Sequence, residues 1–585
     1  ITAPISAGIA LTLQGAGYAE TGTGAIAAQT LTTGAGSLSG GLALGGSNTI
    51  GTLGALLAGG NVQLADTSPL AIAGLVSTPG TLIVTGNGAV NETAGGVLSL
   101  GGFGSGTGSI GGAVSLTNAN NIGTLGALTA TGNIVIDDAG TMTLGGAVSA
   151  GTSLALAANG LVAGGGSLSA GTIALAPYDN GTVDLGGTAI TGLQISQSLV
   201  NELDPAAVVV LGSAAGHAAS SILTEGAVSF ANALAALDST GGITQTGTLT
   251  GAVTGTTFDL NATSVALDGV VNATLLNLNA SGAVTQASTS ALNLSTLAGT
   301  GTTSGNIVLG GANNIGTLGA LTATGNINLQ DNAILNVKGA VSAAMITLSA
   351  AGLDLASQIS ASSLSVLDSS GSLNQSGGKL TVGTLSGSIA NNASLNSTQN
   401  SIGTLANFTV GGTLNLTDRT ALTLNGDITA KDTLAGALDL TSSGSLSQSG
   451  TLSGISISLS GTNLALDGTA NATTLTLDAT SSVSQAGTGV LSVATLSSNT
   501  TASGAILLGG TANAIGTLGS LAAGQNILIA DAQTGAITAP ISAGIALTLQ
   551  GAGYAETGTG AIAAQTLTTG AGSLSGGLAL GGSNT

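Results

Sequence analysis

Residues 114–156 read VSLTNANNIGTLGALTATGNIVIDDAGTMTLGGAVSAGTSLAL and repeat a short pattern at a fixed interval. Three apolar–any–apolar segments, Val114/Leu116, Ile134/Ile136 and Leu154/Leu156, begin 20 residues apart. Because alternate residues of a strand point to opposite faces, each segment indicates a short β-strand with one buried face. Clusters of Gly, Ser, Thr and Asn between the segments are typical of turns and leave room for two or three strands in each period.

The same pattern extends on both sides of this stretch. The segments begin, at intervals of 16 to 20 residues, at Leu42, Val62, Leu82, Leu98, Val114, Ile134, Leu154 and Ile173. A unit of about 20 residues cannot bury an apolar face alone, so it must stack on further units of the same kind. Crossover connections between parallel strands are nearly always right-handed. The sequence therefore predicts an all-β chain folded as a right-handed parallel β-helix, or β-solenoid, with about 20 residues per coil.

A larger repeat surrounds the coils. Residues 537–585 are identical to residues 1–49, which defines a super-repeat of 536 residues. We expect residues 1–585 to form one continuous solenoid, with 1–536 as one super-repeat and 537–585 as the start of the next copy. With rungs about 4.8 Å apart, the coils of one super-repeat should form an elongated rod on the order of 130 Å long.

The ends of the sequence show no polar capping coil that would cover exposed strand edges. We therefore expect either that the natural protein continues beyond both ends or that separate copies join end to end. The expected partners are further copies of the same repeat, and lateral association of rods and a polysaccharide or host-surface ligand are left open.

The composition excludes several classes of protein. The 585 residues include 4 basic and 24 acidic side chains, no Cys and no Trp, and 43% are hydrophobic. Disordered chains combine low hydrophobicity with high charge, so this chain should fold. Four cations against a net charge of −20 cannot neutralise many phosphates, which argues against a nucleic-acid partner. No run of 18 apolar residues is present, so we expect no membrane insertion in this segment.

An Ile-Gly-Thr-Leu motif marks duplicated blocks of coils, and an Asp follows each motif at one constant spacing. The motifs begin at Ile50, Ile122, Ile315, Ile402 and Ile515, each has an Asn one or two residues earlier, and the aspartates are Asp66, Asp138, Asp331, Asp418 and Asp531. A Ca²⁺ ion needs several oxygen ligands converging on one point. Even the nearest two aspartates, Asp66 and Asp138, are several coils apart, so no two can share an ion. We predict that each Asp closes a turn by accepting a backbone N–H two residues on, and that the chain has no metal site.

Two other acidic features match calcium sites only in part. Asp137 and Asp138 are adjacent carboxylates, but neighbours on one strand point to opposite faces. The calcium-binding nonapeptide pattern fails at Gly101–Ser105, because Gly106 stands where the Asp is required.

A recurring glutamine is the second marker of the blocks. It occurs in an apolar–polar–Gln–small setting at Gln245, Gln286, Gln375, Gln448 and Gln485. Stacked amides form ladders in cross-β structures. Because these copies are unevenly spaced and do not recur once per coil, we predict isolated buried amides and no continuous ladder.

Cationic residues are too few and too scattered for an obvious active site. They are Lys338, Lys379, Arg419, Lys431 and, when protonated, His217. Asp418-Arg419 and Lys431-Asp432 are predicted to form surface ion pairs, and His217 is predicted to be a loop or turn residue. The sequence predicts no catalytic, cofactor-binding or metal-binding residue and no cofactor, so we expect that the chain is not an enzyme.

Several phrases resemble a known family. Residues 312–332, ANNIGTLGALTATGNINLQDN, and residues 240–251, TGGITQTGTLTG, resemble the degenerate repeats of filamentous-haemagglutinin-like exoproteins, and so do residues 199–247. These are very large adhesins of Gram-negative bacteria, generally exported by two-partner secretion. The family's amino-terminal secretion domain is not found in these residues, so the export route stays open.

The resemblance implies a right-handed β-helix shaft at the cell surface that serves adhesion, aggregation or biofilm cohesion, and it transfers no catalytic residue. We therefore expect a secreted, extracellular structural or adhesive fibre. The alternative is a surface-displayed carbohydrate-binding or carbohydrate-active β-helix, which a groove lined by Arg419, Lys431 and several carboxylates would favour.

Overall fold

A computed structural model describes residues 1–187, 192–251, 255–570 and 572–585. The chain is 64% strand and 1% helix, and its coils of about 20 residues stack in parallel into a β-solenoid of about 28 turns. The predicted fold class is confirmed. The chain divides into two compact units, Ile1–Ser304 and Gly305–Thr585, and each is described by itself.

The first unit contains strands of 2 to 12 residues and one short helix, Gln197–Val200. Its longer strands are Pro4–Thr12, Ala25–Thr32, Leu42–Leu53, Val62–Asp66, Leu75–Gly86, Val97–Gly104, Val114–Ile122, Ile134–Leu144, Ser153–Ala163, Thr172–Ala176, Thr182–Leu185, Val208–Leu211, Ser221–Thr224, Ala227–Phe230, Leu234–Asp238, Gly242–Gln245, Thr248–Gly251, Thr257–Ala262, Ser264–Leu267, Val270–Ala280 and Ala291–Ala298. Its short strands are Tyr18–Ala19, Leu56–Leu57, Leu70–Ile72, Val90–Glu92, Thr124–Leu125, Leu128–Thr129, Ala147–Ser149, Ser167–Ser169, Leu193–Ile195, Ser213–Ala214, His217–Ala218, Val284–Gln286 and Thr302–Thr303.

The second unit contains strands of 2 to 17 residues. Its longer strands are Asn314–Leu318, Ile327–Gln330, Ile334–Val337, Val341–Ala350, Gly352–Leu355, Ile359–Asp368, Leu380–Ile389, Ser401–Val410, Leu414–Asp418, Asp427–Ala430, Ala437–Ser442, Thr451–Leu466, Thr469–Ser484, Val490–Ser497, Ala514–Leu518, Ile527–Ile537, Pro540–Glu556 and Ala561–Thr568. Its short strands are Ile307–Leu309, Leu321–Ala323, Leu373–Asn374, Ala393–Leu395, Leu422–Leu424, Leu446–Gln448, Thr501–Ala502, Ile506–Leu508, Leu521–Ala523 and Leu578–Ala579.

Columns of aliphatic side chains form the core inside the coils. In the first unit, Val114, Ile134, Leu154 and Ile173 are consecutive partners on four stacked strands, and all four are fully buried. Burying one such side chain contributes about 1.5–3 kcal/mol. Because each coil supplies one face of the interior of its neighbours, this burial depends on stacking.

The stacking register corrects one detail of the sequence pattern. Leu82 pairs with Phe103, and Leu98 pairs with Val76, so Leu98 does not lie above Leu82. Val114 likewise pairs with Val90. The shorter intervals of the pattern therefore join segments on different faces of a coil. The apolar–any–apolar pattern occurs on more than one face, so its spacing alone does not identify the stacked partners.

The two identical sequences fold alike over part of their length. The strand Ala25–Thr32 recurs as Ala561–Thr568, and each pairs with a preceding strand that has the same irregularity, between Ala7 and Ala10 or between Ala543 and Ala546. In both copies this irregularity lies beside an exposed isoleucine. At this pairing the local sequence sets the path of the coil, whereas further along, the strand Leu42–Leu53 corresponds only to Leu578–Ala579 in the second copy.

One excursion interrupts the regular coils of the first unit. Thr172–Ala176 pairs with Val208–Leu211, and the residues between these two strands include the helix Gln197–Val200. Immediately afterwards, Ser213–Ala214 and His217–Ala218 form an antiparallel hairpin, in contrast to the parallel pairs around it. Among the described residues, no helix has the length and apolar character needed to cross a bilayer.

Candidate functional site

Five buried asparagines join adjacent coils. They lie two residues before the Ile of each Ile-Gly-Thr-Leu motif, and all five are fully buried: Asn48, Asn120, Asn313, Asn400 and Asn513. Each side-chain amide donates to the backbone carbonyl 17 residues later, over 2.9 to 3.1 Å. At least four of them also accept a backbone N–H from the preceding coil, as Asn400 does from Leu380 at 2.9 Å. One side chain thereby connects three coils.

The aspartates of the same blocks close turns, as predicted. Asp418 accepts the N–H of Thr420, two residues on, at 2.8 Å. It also accepts the N–H of Ile402, which lies on the preceding coil, at 2.8 Å. The same bond from the motif isoleucine is present in every block. Each Asp therefore holds two coils together, a role that the sequence did not predict.

Burial of these carboxyls changes their titration. Burial raises the pKa of Asp66, Asp138, Asp331 and Asp531 above the ordinary aspartate value, and the backbone N–H donors oppose part of that rise. A desolvated carboxylate is destabilised unless donors surround it. The N–H groups are therefore needed to keep these side chains in the core.

In at least four of the five blocks, the buried asparagine also bonds to a Glu or Gln that lies earlier in the sequence. The asparagine amide donates to Glu20, Glu92, Gln375 and Gln485 over 3.1, 3.2, 3.0 and 2.9 Å, in that order. We call each set of Glu or Gln, Asn and Asp a polar cluster. Glu20 and Glu92 were not predicted as members. Each lies 28 residues before its asparagine, as Gln485 does, and that shared spacing was the available signal.

No metal-binding geometry was found in the described parts of the chain. They contain no group of three or more His, Cys, Asp or Glu side chains that could hold an ion. Each block aspartate instead faces backbone N–H groups, which are donors and repel a cation.

Two glutamines of the recurring series, Gln245 and Gln448, behave as isolated buried amides. Gln245 is fully buried, donates to the carbonyls of Gly247 and Val270, and accepts the N–H of Gly269. Gln448 makes the equivalent three bonds to its own neighbours. The prediction of isolated buried amides holds for these two. The prediction was wrong for Gln375 and Gln485, which are half-buried and belong to polar clusters, and Gln286 is also half-buried.

The cationic residues do not form the predicted ion pairs. Asp418 is buried and bonded to backbone N–H groups, and Asp432 accepts the N–H of Leu434. Within the described residues no salt bridge links Arg419 or Lys431 to a carboxylate. The prediction was wrong because turn formation uses both carboxylates. Among the described residues, five clefts of about 310 to 720 Å³ are lined by neither of these two cations.

His217 forms the one salt bridge found in the described chain. Its Nε2 lies 3.3 Å from Oδ2 of Asp137, and its ring centroid lies 4.8 Å from that of Tyr178. His217 was predicted to be a loop or turn residue, but it lies in the hairpin strand His217–Ala218, directly after the turn. Its buried partner lies 80 residues away in sequence and was not predicted.

No protein-family model, curated protein or solved structure matches this chain. Its function must therefore be argued from the coils and the polar clusters. The polar clusters bond to backbone groups on neighbouring coils, so their chemistry is that of structural cross-links.

Proposed function

We propose that this chain is a shaft segment of an extracellular structural or adhesive fibre. The observation that carries the proposal is coil-to-coil stacking in which aliphatic columns and polar clusters both join one coil to the next. The stability of such a chain is approximately a sum of nearest-neighbour terms, so coils can be added without changing the fold. A rigid spacer is the function that this property serves most directly.

The super-repeat supports the same proposal. Within the first 49 residues and their identical copy, the strand Ala25–Thr32 recurs with the same bounds as Ala561–Thr568 and pairs with the same irregularity. A strand pairing that recurs with the same register at both occurrences suits a tandem array. Further copies of the repeat are then the natural partners, and display outside the cell is where such a shaft supports adhesion, aggregation or biofilm cohesion, as in the filamentous-haemagglutinin-like exoproteins that the repeats resemble.

Electron microscopy of tandem arrays tests this proposal. Chains with one, two and three copies of residues 1–536 should appear in negative stain as unbranched rods. Each added copy should lengthen the rod by on the order of 130 Å at constant width, because rungs are spaced by about 4.8 Å. Rounded particles that widen with copy number would overturn the proposal.

A further inference from the structure

The hairpin that carries His217 covers the outer face of three coils. Asp137, Ala157 and Ala176 are consecutive partners on three stacked strands. Their alternation with inward-pointing leucines and isoleucines places them on the outer side of the sheet. Both alanines nevertheless have no solvent exposure, and the hairpin strand Ser213–Ala214 packs against their strands. The hairpin is therefore a flap that lies over the solenoid wall.

The flap buries the carboxylate of Asp137 against the imidazole of His217. The Asp137 side chain is 4% exposed, whereas that of His217 is 20% exposed. Asp137 Oδ2 faces His217, and its Oδ1 is buried without a hydrogen-bond partner. An unpaired buried charge is strongly destabilising. The imidazole, when it is protonated, is therefore the counter-charge of the buried carboxylate.

The other groups around Asp137 do not replace this cation. Glu92 lies nearby: burial and, to a smaller extent, the negative charge of Asp137 raise the pKa of Glu92. The adjacent Asp138 is also acidic. Asn120 donates to the backbone carbonyl of Asp137, not to its carboxylate. Tyr178 stacks on the imidazole. The two neighbouring strands, Ser153–Ala163 and Thr172–Ala176, present the uncharged side chains of Ala157 and Ala176.

We propose that His217 and Asp137 form a pH-sensitive latch, which holds the flap of residues 213–218 closed while the imidazole is protonated and releases it as the pH rises. Histidine is the side chain whose charge ordinarily changes between about pH 5 and 8. Once the imidazole is neutral, closure leaves the Asp137 carboxylate buried without a counter-charge, whereas opening returns it to water. Burial raises the pKa of Asp137 and the charge of His217 lowers it, so burial disfavours the Asp137 carboxylate and the protonated imidazole favours it.

Release of the flap would also change a neighbouring cleft. Ser213 and Ala218 form one side of a cleft of about 350 Å³, and Asp238, Asn261 and Ser281 contribute to the rest of its lining. An open flap removes that side of the cleft. This inference concerns one excursion of the first unit and does not rest on the fibre proposal.

Hydrogen–deuterium exchange of the full chain tests the latch. Protection of peptides covering residues 212–219, corrected for intrinsic exchange, should fall about tenfold between about pH 5.5 and about pH 8. Peptides from the strand Thr469–Ser484 serve as an internal reference. Equal protection of the flap at both pH values would overturn the proposal.

Three variants separate the latch from general charge effects. Asp137→Asn removes the buried charge, so flap protection should no longer depend on pH. His217→Gln removes the cation from a partly exposed position and should give weak, pH-independent protection even if the first variant folds poorly. Asp179→Asn makes the same charge change at an exposed residue of the excursion and should keep the wild-type response. A wild-type pH response in either latch variant, or its loss in Asp179→Asn, would contradict the latch.

Discussion

At the scale of single residues, a buried asparagine does what no apolar side chain could do at the same place. Asn400 has no solvent exposure, donates to Thr417 on the next coil, accepts from Leu380 on the preceding coil and exchanges two bonds with Gln375. A buried polar group left without its partner costs about 1–3 kcal/mol. The Asn400 amide therefore satisfies several buried polar groups at once. It can do so only when the neighbouring coils stack in the observed register.

The substitution Asn400→Leu should destabilise the chain by about 3 kcal/mol, because it leaves the Leu380 N–H, the Thr417 carbonyl and the Gln375 amide without their partner. Urea denaturation followed by circular dichroism measures the change. Asn396→Leu is the matched control, since Asn396 is exposed on the same loop and should change stability by no more than about 0.5 kcal/mol. Equal effects of the two substitutions would contradict the role of the polar cluster.

Sequence reasoning reached part of this arrangement. The constant spacing between the motif isoleucine and the Asp, together with the turn preference of Asp, was enough to predict that Asp418 closes a turn. Its bond to Ile402 was not predicted, because that requires knowing that this spacing leads once around the coil. Glu92 was missed for the same reason, since its partner Asn120 lies 28 residues away.

At the scale of elements, the strand Thr469–Ser484 lies between two others and is paired on both sides. Thr476 pairs with Ser458 on one neighbour and with Ser497 on the other, and its side chain is half-buried on the outer face. Proline has no N–H to donate and is confined to edges or bulges of sheets. Substitutions at Thr476 can therefore test the backbone hydrogen bond of this strand separately from the packing of its side chain.

Thr476→Pro should lower the stability by about 2 kcal/mol or more, because one rung loses a hydrogen bond and its acceptor stays buried. Thr476→Val keeps the β-branched shape and the N–H, so its melting temperature should stay close to that of the wild type. Thermal unfolding followed by circular dichroism compares the two. Equal melting temperatures of the two variants would show that the backbone hydrogen bond of Thr476 does not contribute to stability.

Prediction of the elements succeeded where the coils are regular and failed at the excursion. The interval from Val114 to Ile134, which recurs from Ile134 to Leu154, is the true stacking interval. The helix Gln197–Val200 and the flap were not predicted, since their residues carry no periodic apolar pattern. The outer alanines Ala157 and Ala176 look in sequence like exposed small residues, and the flap that buries them comes much later in the chain.

At the scale of the whole molecule, the scarcity of cations predicts resistance to trypsin. The chain has four sites, after Lys338, Lys379, Arg419 and Lys431, so complete digestion of urea-unfolded protein should give five fragments. The largest is residues 1–338. Mass spectrometry of the digest checks this outcome. The prediction depends on sequence and not on fold, and a digest with many small fragments would contradict it.

The acidic groups of the whole molecule set the direction of its pH dependence. Burial raises the pKa of seven carboxyls, namely Asp66, Glu92, Asp137, Asp138, Asp331, Asp439 and Asp531. Two carboxyls, Asp204 and Glu556, have lowered pKa values because hydrogen-bond donors favour their charged forms; for Asp204 these are the Ala206 N–H and the Ser169 hydroxyl. A raised pKa means that the folded chain binds protons more tightly than the unfolded chain. Its contribution to stability is complete below the unfolded pKa of about 4 and is lost as the pH rises through the folded pKa.

The melting temperature should therefore rise as the pH falls from about 7 toward about 4, and the loss of part of the net charge of −20 acts in the same direction. Asp331→Asn should reduce the rise, because a carboxyl with a raised pKa no longer titrates. Asp204→Asn should leave the rise almost unchanged, because a carboxyl with a lowered pKa keeps its stabilising effect until the pH falls below about 4. Differential scanning calorimetry of the wild type and the two variants compares the three rises. A melting temperature that falls on acidification in the wild type would show that the buried carboxylates are better solvated by their backbone donors than their burial implies.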